Sequence, residues 1–90
     1  MTKPYKTTPL FDENSLPAAI RNNHSTKEGV WGLLRVLEGS VQLHFAEPSR
    51  SVFVDPDHPA LITPQAVHHV EVTGPMKCRV EFYHEEPDVT

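Results

Sequence analysis

The chain has 90 residues, a formal net charge of −4 and one cysteine, Cys78. A chain of this length has a thin core, so we expect a single domain over residues 1–90 that pairs as a homodimer. The acidic balance, with no cluster of Lys or Arg, argues against nucleic acid or an anionic membrane as a partner. A lone cysteine excludes an internal disulfide, and the start MTKPYKTTPLF lacks the apolar run of a signal peptide, so we expect a cytoplasmic protein.

The N-terminal half of the chain predicts an arm followed by two strands. Residues 1–17 are rich in Thr, Pro, Asp and Asn and predict an irregular N-terminal arm. The stretch VWGLLRVLEGSVQLHF then predicts two strands joined by a tight hairpin at Glu38-Gly39, where glycine supplies the positive φ of the turn. In the second strand, apolar Val41, Leu43 and Phe45 alternate with Gln42 and His44. The first strand is apolar on both faces, which predicts that it is covered twice, the second time by a partner subunit.

Four more short strands are predicted in the C-terminal half, in the runs SVFV, ALIT, HHVEV and KCRVEFYH. The segments between them carry the Pro, Gly or Asp that ends a strand. Seven or so short strands, without repeats or low-complexity tracts, predict an all-β sandwich or barrel.

The adjacent histidines of PQAVHHVEV point to opposite faces if this run is a strand. His68 shares a face with Val70 and Val72 and is expected inside, whereas His69 shares the wet face with Glu71. In the last strand, alternation also places His84 on the apolar side. A hairpin around TGPMK would pair His68 with Phe82 and bring His84 diagonally beside it.

An inward histidine is either a core residue satisfied by a backbone hydrogen bond or a metal ligand, and the residues leave both interpretations open. His24, at the start of the polar loop HSTKEG, and His68 could together supply two imidazoles for a divalent ion such as Zn, Fe, Ni or Mn. A third ligand could come from Glu28 or His84.

The other reactive side chains have simpler interpretations, and common catalytic motifs are absent from the sequence. His44 and His58 are expected to be solvated surface residues, and Cys78 a small buried hydrophobe. The sequence contains no glycine-rich phosphate loop, no GxSxG and no HExxH, so no complete catalytic set is evident.

The strings HSTKEGVWGLLRVLEG and PQAVHHVE, with SLPAAI before them and EFYHEEPD after them, resemble the TehB N-terminal domain family, also found alone as the YeaR-like domain. The resemblance runs from about Pro9 to Pro87. It implies a cupin-like double-stranded β-helix, or jelly roll, with His68 as the second-motif histidine and His24 at the start of the first motif. Cupins usually take two His and a Glu from the first motif, and here Thr26 and Gly32 stand near the other two places.

The resemblance implies a link to tellurite resistance and stress response. In TehB the methyl transfer with S-adenosylmethionine belongs to a separate C-terminal domain, so we do not expect methyl transfer here. The first hypothesis is a non-catalytic, stand-alone domain that binds a metal ion, a small ligand or an oxyanion in the barrel through His24 and His68. The alternatives are a small metal-dependent cupin enzyme, of dioxygenase or isomerase type, and a purely structural dimeric interaction module.

Overall fold

The computed structural model describes residues 3–87 and builds them almost entirely from short strands. The elements are β1 (Lys6–Thr7), β2 (Phe11–Asp12), α1 (Ala18–Arg21), β3 (Trp31–Glu38), β4 (Val41–Ala46), β5 (Ser49–Val54), β6 (Ala60–Ile62), β7 (His68–Val72) and β8 (Lys77–Tyr83). The predicted all-β class is therefore confirmed, and the helix is a single turn after Pro17.

The strands form two antiparallel sheets. In the larger sheet the order is β1-β8-β3-β6, and β2 pairs with β8 beside β1. In the smaller sheet β4 lies between β5 and β7. The inner faces of both sheets contribute to one apolar core, as expected for two layers that each bury one side. Its buried members include Leu34, Val36, Ile62, Cys78 and Val80 from the larger sheet and Val41, Leu43, Phe45, Val54 and Val70 from the smaller one.

The alternation predicted for β4 is confirmed, since its apolar residues are buried and those between them are partly exposed. The turn at Gly39 is also confirmed, with φ at +74°. The predicted hairpin is wrong, however, because β3 pairs with β8 and β6 whereas β4 pairs with β5 and β7. Gly39 carries the chain from one sheet into the other, where a Cβ would overlap the carbonyl oxygen of Pro75.

The predicted hairpin between the last two strands is wrong for the same reason. β7 lies in the smaller sheet, where His68 is opposite Phe45, and β8 lies in the larger sheet, where Phe82 is opposite Gly32 and Lys6. The segment between β7 and β8 crosses between the sheets. Alternation identifies the inner face of each strand, but it carries no information about which strand is the neighbour.

The N-terminal segment is more ordered than the irregular arm that was predicted. Of that segment, residues 1–2 lie outside the described residues. Two-residue strands form at β1 and β2, and Leu16 is buried in the core. Such short strands were missed because two residues show no side-chain alternation.

The double cover predicted for β3 holds in the middle of the strand, where Leu33 and Leu34 point to opposite faces and are both 0% exposed. It is wrong at Leu37, which is 42% exposed. Leu33 needs no partner subunit for its burial, because it is already 0% exposed within the single chain. Leu33 lies directly opposite Glu81 on one side and Leu61 on the other.

Beside Leu33 on the outer face, the buried carboxylate of Glu81 is held by three donors. Arg35 Nε donates at 2.9 Å, Tyr83 OH at 2.8 Å and Arg79 Nε at 3.2 Å. Burial alone would raise the pKa of Glu81, but the hydrogen bonds from Arg35 and Tyr83 outweigh it, and the pKa is lowered. Glu81 is therefore an ionised structural group.

Candidate functional site

A cavity of about 290 Å³ opens between the two sheets at the end where the polar loop after His24 lies. Its inner wall is apolar and consists of buried side chains, among them Leu34, Ile62, Val70 and Val80. The outer part of the lining is polar and more exposed, and it includes His24, Ser25, Thr26, Lys27 and Lys6. The cavity therefore has a wet entrance and a dry interior, which is the usual arrangement of a small-molecule site.

The structure brings together the two histidines that the sequence singled out. His24 and His68 form an isolated antiparallel bridge, in which each backbone N–H donates to the carbonyl of the other, at 2.9 and 2.8 Å. Their ring centroids lie 4.2 Å apart with the planes tilted by 55°. Both side chains line the cavity. The two positions are 44 residues apart in the chain, so their meeting is a property of the fold.

Hydrogen bonds to the backbone determine the tautomer of each imidazole. His68 Nδ1 lies 2.7 Å from the carbonyl oxygen of Ala66, and His24 Nδ1 lies 3.1 Å from that of Asn22. A carbonyl oxygen can only accept, so each Nδ1 carries the proton. When the rings are neutral, each Nε2 is therefore left with a lone pair, and neither has a hydrogen-bond partner among residues 3–87.

His68 is the more enclosed of the pair, at 2% exposure. Burial lowers its pKa, and the nearby His24 and His69 lower it further, against the opposing effect of the Ala66 carbonyl. Within the described part of the chain, every fully buried side-chain nitrogen or oxygen atom has a hydrogen-bond partner. The free Nε2 of His68 must therefore reach accessible space, which at this burial is the cavity that the ring lines.

Thr26 and Gly32, which stand near the places where cupins usually have further first-motif ligands, also line the cavity. The Thr26 hydroxyl accepts a hydrogen bond from the backbone N–H of Gln65 at 3.1 Å, so it attaches the polar loop to the turn that precedes β7. Gly32 faces Ile62, whose Cβ would lie 3.3 Å from an added Cβ. Neither position supplies a metal ligand.

The two additional ligands considered from the sequence do not join the pair. His84 was expected to face inward, and this is wrong: it is exposed, and its ring stacks on Tyr5 with centroids 3.8 Å apart. Glu28 is exposed in a turn and does not line the cavity. Within residues 3–87 no three His, Cys, Asp or Glu side chains converge in a way that could hold a metal ion. The hypothesis of a metal-dependent enzyme requires a third protein ligand, and the described residues offer none.

The other histidines and the cysteine lie where the sequence predicted. His44 and His69 occupy the outer face of the smaller sheet, with ring centroids 4.9 Å apart. His58 is exposed and pairs with Asp55 at 2.8 Å. Cys78 is fully buried, and burial raises the pKa of its thiol to about 11, so it is an inert core residue. No helix in the described part of the chain is long and apolar enough to cross a membrane.

Sequence reasoning missed most of the polar groups at the entrance. Lys27 and Thr26 belong to the motif HxTKxG, and that motif was the one signal that could have identified them. Tyr5 and Lys6 lie in the segment predicted to be an irregular arm, and nothing local indicates that they reach the cavity. They do so because β1 pairs with β8, which places Lys6 opposite Phe82 on the inner face.

Comparison with known proteins places these features in a family context. A family described as TehB-like domain matches residues 6–80. The chain is 31% identical over 90 residues to "Probable S-adenosyl-L-methionine-dependent methyltransferase TehB" from Haemophilus influenzae strain 10810, and equally to that protein from strain ATCC 51907. The match covers 93% of this chain, but the chain spans only 32% of the length of those relatives.

Two solved structures are similar to the whole fold. The crystal structure of TehB from Haemophilus influenzae superposes with a TM-score of 0.80 at 31% identity, over 90% of this chain and 30% of that chain. A crystal structure of a protein from E. coli strain K12 superposes with a TM-score of 0.82 at 23% identity, over 97% of this chain and 93% of that one. The second likeness concerns the fold alone.

Proposed function

The chain belongs to the TehB-like domain family, and from that premise we propose that it is a non-catalytic ligand-binding domain of the tellurite-resistance or stress-response type. The ligand is a small molecule with an apolar body and a polar head. The body occupies the dry interior of the cavity beside Leu34, Val70 and Val80, and the head lies near His24 and His68 at the entrance.

One observation carries the proposal: two imidazoles line the cavity, and each keeps a free Nε2 while its Nδ1–H is fixed by a backbone carbonyl. A ring nitrogen that adjoins an apolar wall without a hydrogen-bond partner costs free energy, and a bound molecule that donates to it removes that cost. The cavity volume, about 290 Å³, is at the lower end of the range of roughly 300–1,000 Å³ for ligand sites. The ligand is therefore small.

The strand order supports the finer description of the fold as a cupin-like jelly roll. Each sheet joins strands that are distant in sequence, β8 with β3 and β7 with β4, as two nested Greek keys require. The His24–His68 bridge adds a fourth pairing position beside β7 in the smaller sheet. In such a fold the mouth of the barrel is a common place for a ligand.

We further propose that the domain serves as an accessory unit to chemistry that takes place elsewhere. The curated relatives are named as probable methyltransferases, and this chain corresponds to about a third of their length. All strand pairs of the described residues are antiparallel, unlike the parallel sheet with which open α/β folds bind nucleotide-type cofactors. The homodimer and the cytoplasmic location stay predictions.

Titration of the ¹⁵N-labelled protein with hexan-1-ol and with hexanoate tests the binding function. Both probes have a short apolar body and a polar head. We expect saturable amide shifts confined to residues around the cavity, at Leu34, Val70 and Val80, with millimolar dissociation constants for at least one probe. The proposal is wrong if neither probe shifts these amides.

The matched pair His68→Ala and His69→Ala separates the histidine contribution from general effects of losing an imidazole. The two residues are adjacent on β7 and point to opposite faces, so the substitutions are chemically identical. We expect His68→Ala to weaken probe binding by about tenfold, the equivalent of roughly 1.4 kcal/mol, and His69→Ala to leave it unchanged. Equal effects of the two variants would show that the paired imidazoles do not contact the ligand.

A divalent metal ion is the second candidate, and the fixed Nδ1–H groups favour it. Metal-binding histidines typically donate the other ring N–H to a carbonyl or carboxylate, as His24 and His68 do. With two protein ligands, the ion would take its remaining donors from water or from the ligand itself. Protein purified without a nickel column and dialysed against Zn²⁺, Fe²⁺, Ni²⁺ or Mn²⁺ should then retain one ion per chain, and His68→Ala should lose it. Retention of metal by His68→Ala, or its absence from the unsubstituted protein, would remove this candidate.

A further inference from the structure

The charged residues that line the cavity are all cationic, although the chain as a whole is acidic. The sequence has 12 Asp and Glu against 8 Lys and Arg. The lining nevertheless contains Lys6 and Lys27 and no Asp or Glu. A set of residues drawn from the average surface of this chain would carry more acids than bases. The cavity lining therefore carries two formal positive charges and no negative one, which the acidic composition does not predict.

The two lysines come from separate parts of the fold. Lys6 lies on β1 opposite Phe82, on the inner face of the larger sheet. Lys27 follows Thr26, whose hydroxyl attaches the loop to Gln65. Within residues 3–87, neither lysine lies within 4.0 Å of an acidic side chain, whereas Lys77 pairs with Glu38 at 3.2 Å. Their charges remain free to act on a ligand.

The position of these charges makes them effective. A cleft with apolar walls and a rim of one sign concentrates the field at its entrance, because the walls have a low dielectric constant. Lysine can keep its ammonium group in water while its methylene chain lies along an apolar surface. The hydroxyls of Ser25 and Thr26, which also line the cavity, add hydrogen-bonding groups to the same region.

We infer that the ligand is an organic anion, namely a small carboxylate with an aliphatic or aromatic body, whose head lies at the entrance bearing Lys6 and Lys27. A carboxylate has no proton to donate to the Nε2 lone pairs of His24 and His68, so it reaches them through a water molecule that donates to both. The inference rests on the proposed function, since it names the chemical class of ligand for that cavity. The apolar interior excludes an ion without a body as the preferred ligand, because such an ion leaves the inner wall uncovered. The cationic rim disfavours amines and gives a neutral alcohol no charge interaction.

Three probes that differ only in the head group test this inference: hexanoate, hexan-1-ol and hexylammonium, each titrated into the labelled protein in low-salt buffer. We expect hexanoate to bind about tenfold more tightly than hexan-1-ol, and hexylammonium more weakly than both. Raising the salt to about 0.5 M should weaken hexanoate binding and leave hexan-1-ol binding unchanged.

Single substitutions assign the preference to the lysines. Lys6→Gln and Lys27→Gln should each weaken hexanoate binding by roughly threefold to tenfold without affecting hexan-1-ol. Lys77→Gln is the matched control: it makes the same change of charge on a lysine that does not line the cavity, and it should alter hexanoate binding less than twofold.

The outcomes distinguish this inference from the function on which it rests. If hexan-1-ol or hexylammonium binds as tightly as hexanoate, the cavity binds ligands but the anionic class is wrong. If Lys6→Gln and Lys27→Gln weaken hexanoate binding no more than Lys77→Gln does, the assignment of the anion preference to the two lining lysines is wrong. Tellurite or phosphate binding as tightly as hexanoate would show that the apolar body is unnecessary. If no probe binds, both proposals are overturned.

Discussion

Two pairs of histidines lie on opposite faces of the same small sheet, and they differ in what surrounds their ring nitrogens. On the outer face, His44 is satisfied at both nitrogens, with Ser51 Oγ at 2.6 Å from Nδ1 and Glu71 Oε1 at 2.7 Å from Nε2. Its neighbour His69 bonds through Nδ1 alone, to Asn23 Oδ1 at 2.9 Å. On the inner face, His24 and His68 bond to backbone carbonyls through Nδ1 alone.

His44 stabilises the surface with both of its ring nitrogens, whereas His24 and His68 each have an Nε2 available to a ligand in the cavity. The hydrogen-bonded chain from Ser51 through His44 to Glu71 is complete without any further molecule. The inner pair is incomplete on its own, and its free nitrogens adjoin a cavity. Adjacent residues on β7 thus have opposite roles, because alternation along a strand puts His68 and His69 in different surroundings.

The largest expected effect tests whether the inner face of β7 is apolar and excluded from water. Val70 is 3% exposed on the inner face of β7, and Val70→Asp would place a carboxylate against the apolar wall. An unpaired buried charge costs several kcal/mol, so we expect a loss of about 4 kcal/mol in the free energy of unfolding, measured by urea denaturation. The adjacent outer-face control, Glu71→Ala, should cost less than about 1 kcal/mol. Equal losses at the two positions would contradict the division into a dry and a wet face.

The next largest effect concerns the turn that sets which face of β4 is inner. Gly39 has φ at +74°, and an added Cβ would overlap the carbonyl oxygen of Pro75. Left-handed backbone costs a residue with a Cβ roughly 1–2 kcal/mol, and the overlap adds to that. We therefore expect Gly39→Ala to lower the free energy of unfolding by about 3 kcal/mol. Gly29 has a similar φ of +75° with nothing within 4 Å, so Gly29→Ala should lose only the conformational part.

A smaller effect distinguishes the buried imidazole from the surface ones by pH. The pKa of His68 is lowered from its ordinary value of 6.5, mainly by burial. Below about pH 6.5, His68 is therefore protonated in the unfolded chain while it is still neutral in the folded protein. Because the unfolded chain binds more protons, the free energy of unfolding falls as the pH is lowered. Measured between about pH 7.5 and 5.5, this fall should be shallower in His68→Gln than in the unsubstituted protein.

The control for the pH experiment is His69→Gln, which removes an imidazole but keeps the buried one. That variant should retain the part of the profile that belongs to His68. A profile unchanged by His68→Gln would mean that this residue does not resist protonation in the folded state.

The smallest expected effect belongs to the outer pair. His44→Ala removes hydrogen bonds to Ser51 and Glu71 that are partly solvent-exposed. Exposed ion pairs contribute little, so the loss in the free energy of unfolding should be below about 1 kcal/mol. Hexanoate binding, followed by amide shifts, should be the same as in the unsubstituted protein. A weakening comparable to that of His68→Ala would show that the two faces are not independent.

Much of the fold could be predicted because alternation is a local property. The inner position of His68 and the outer positions of His44 and His69 follow from counting along a strand, as do the opposite faces of Leu33 and Leu34 on β3. The partner of each strand could not be predicted in the same way. Both predicted hairpins were wrong because a turn that leads from one sheet to the other has the same sequence signals as a turn that joins two neighbouring strands of one sheet.

The candidate site shows the same division. His24 and His68 were identified from the loop, the strand pattern and a family resemblance, and the fold brings them into contact. His84 was misplaced because alternation was extended one residue past the end of β8, where the chain leaves the sheet. Lys6 was missed because its position depends on pairing between β1 and β8, which lie at opposite ends of the chain.

The most direct test of the account is a long-range ¹H–¹⁵N spectrum of the histidine rings, recorded near pH 7.5 with and without hexanoate. Without it, His24 and His68 should show the Nδ1–H tautomer that their carbonyl partners impose. On titration, the Nε2 signals of these two rings should shift with the same saturation curve as the Val70 amide, while those of His44 and His69 stay in place. If all four rings shift alike, or if the inner pair does not respond while Val70 does, then the paired histidines are not the polar end of the site.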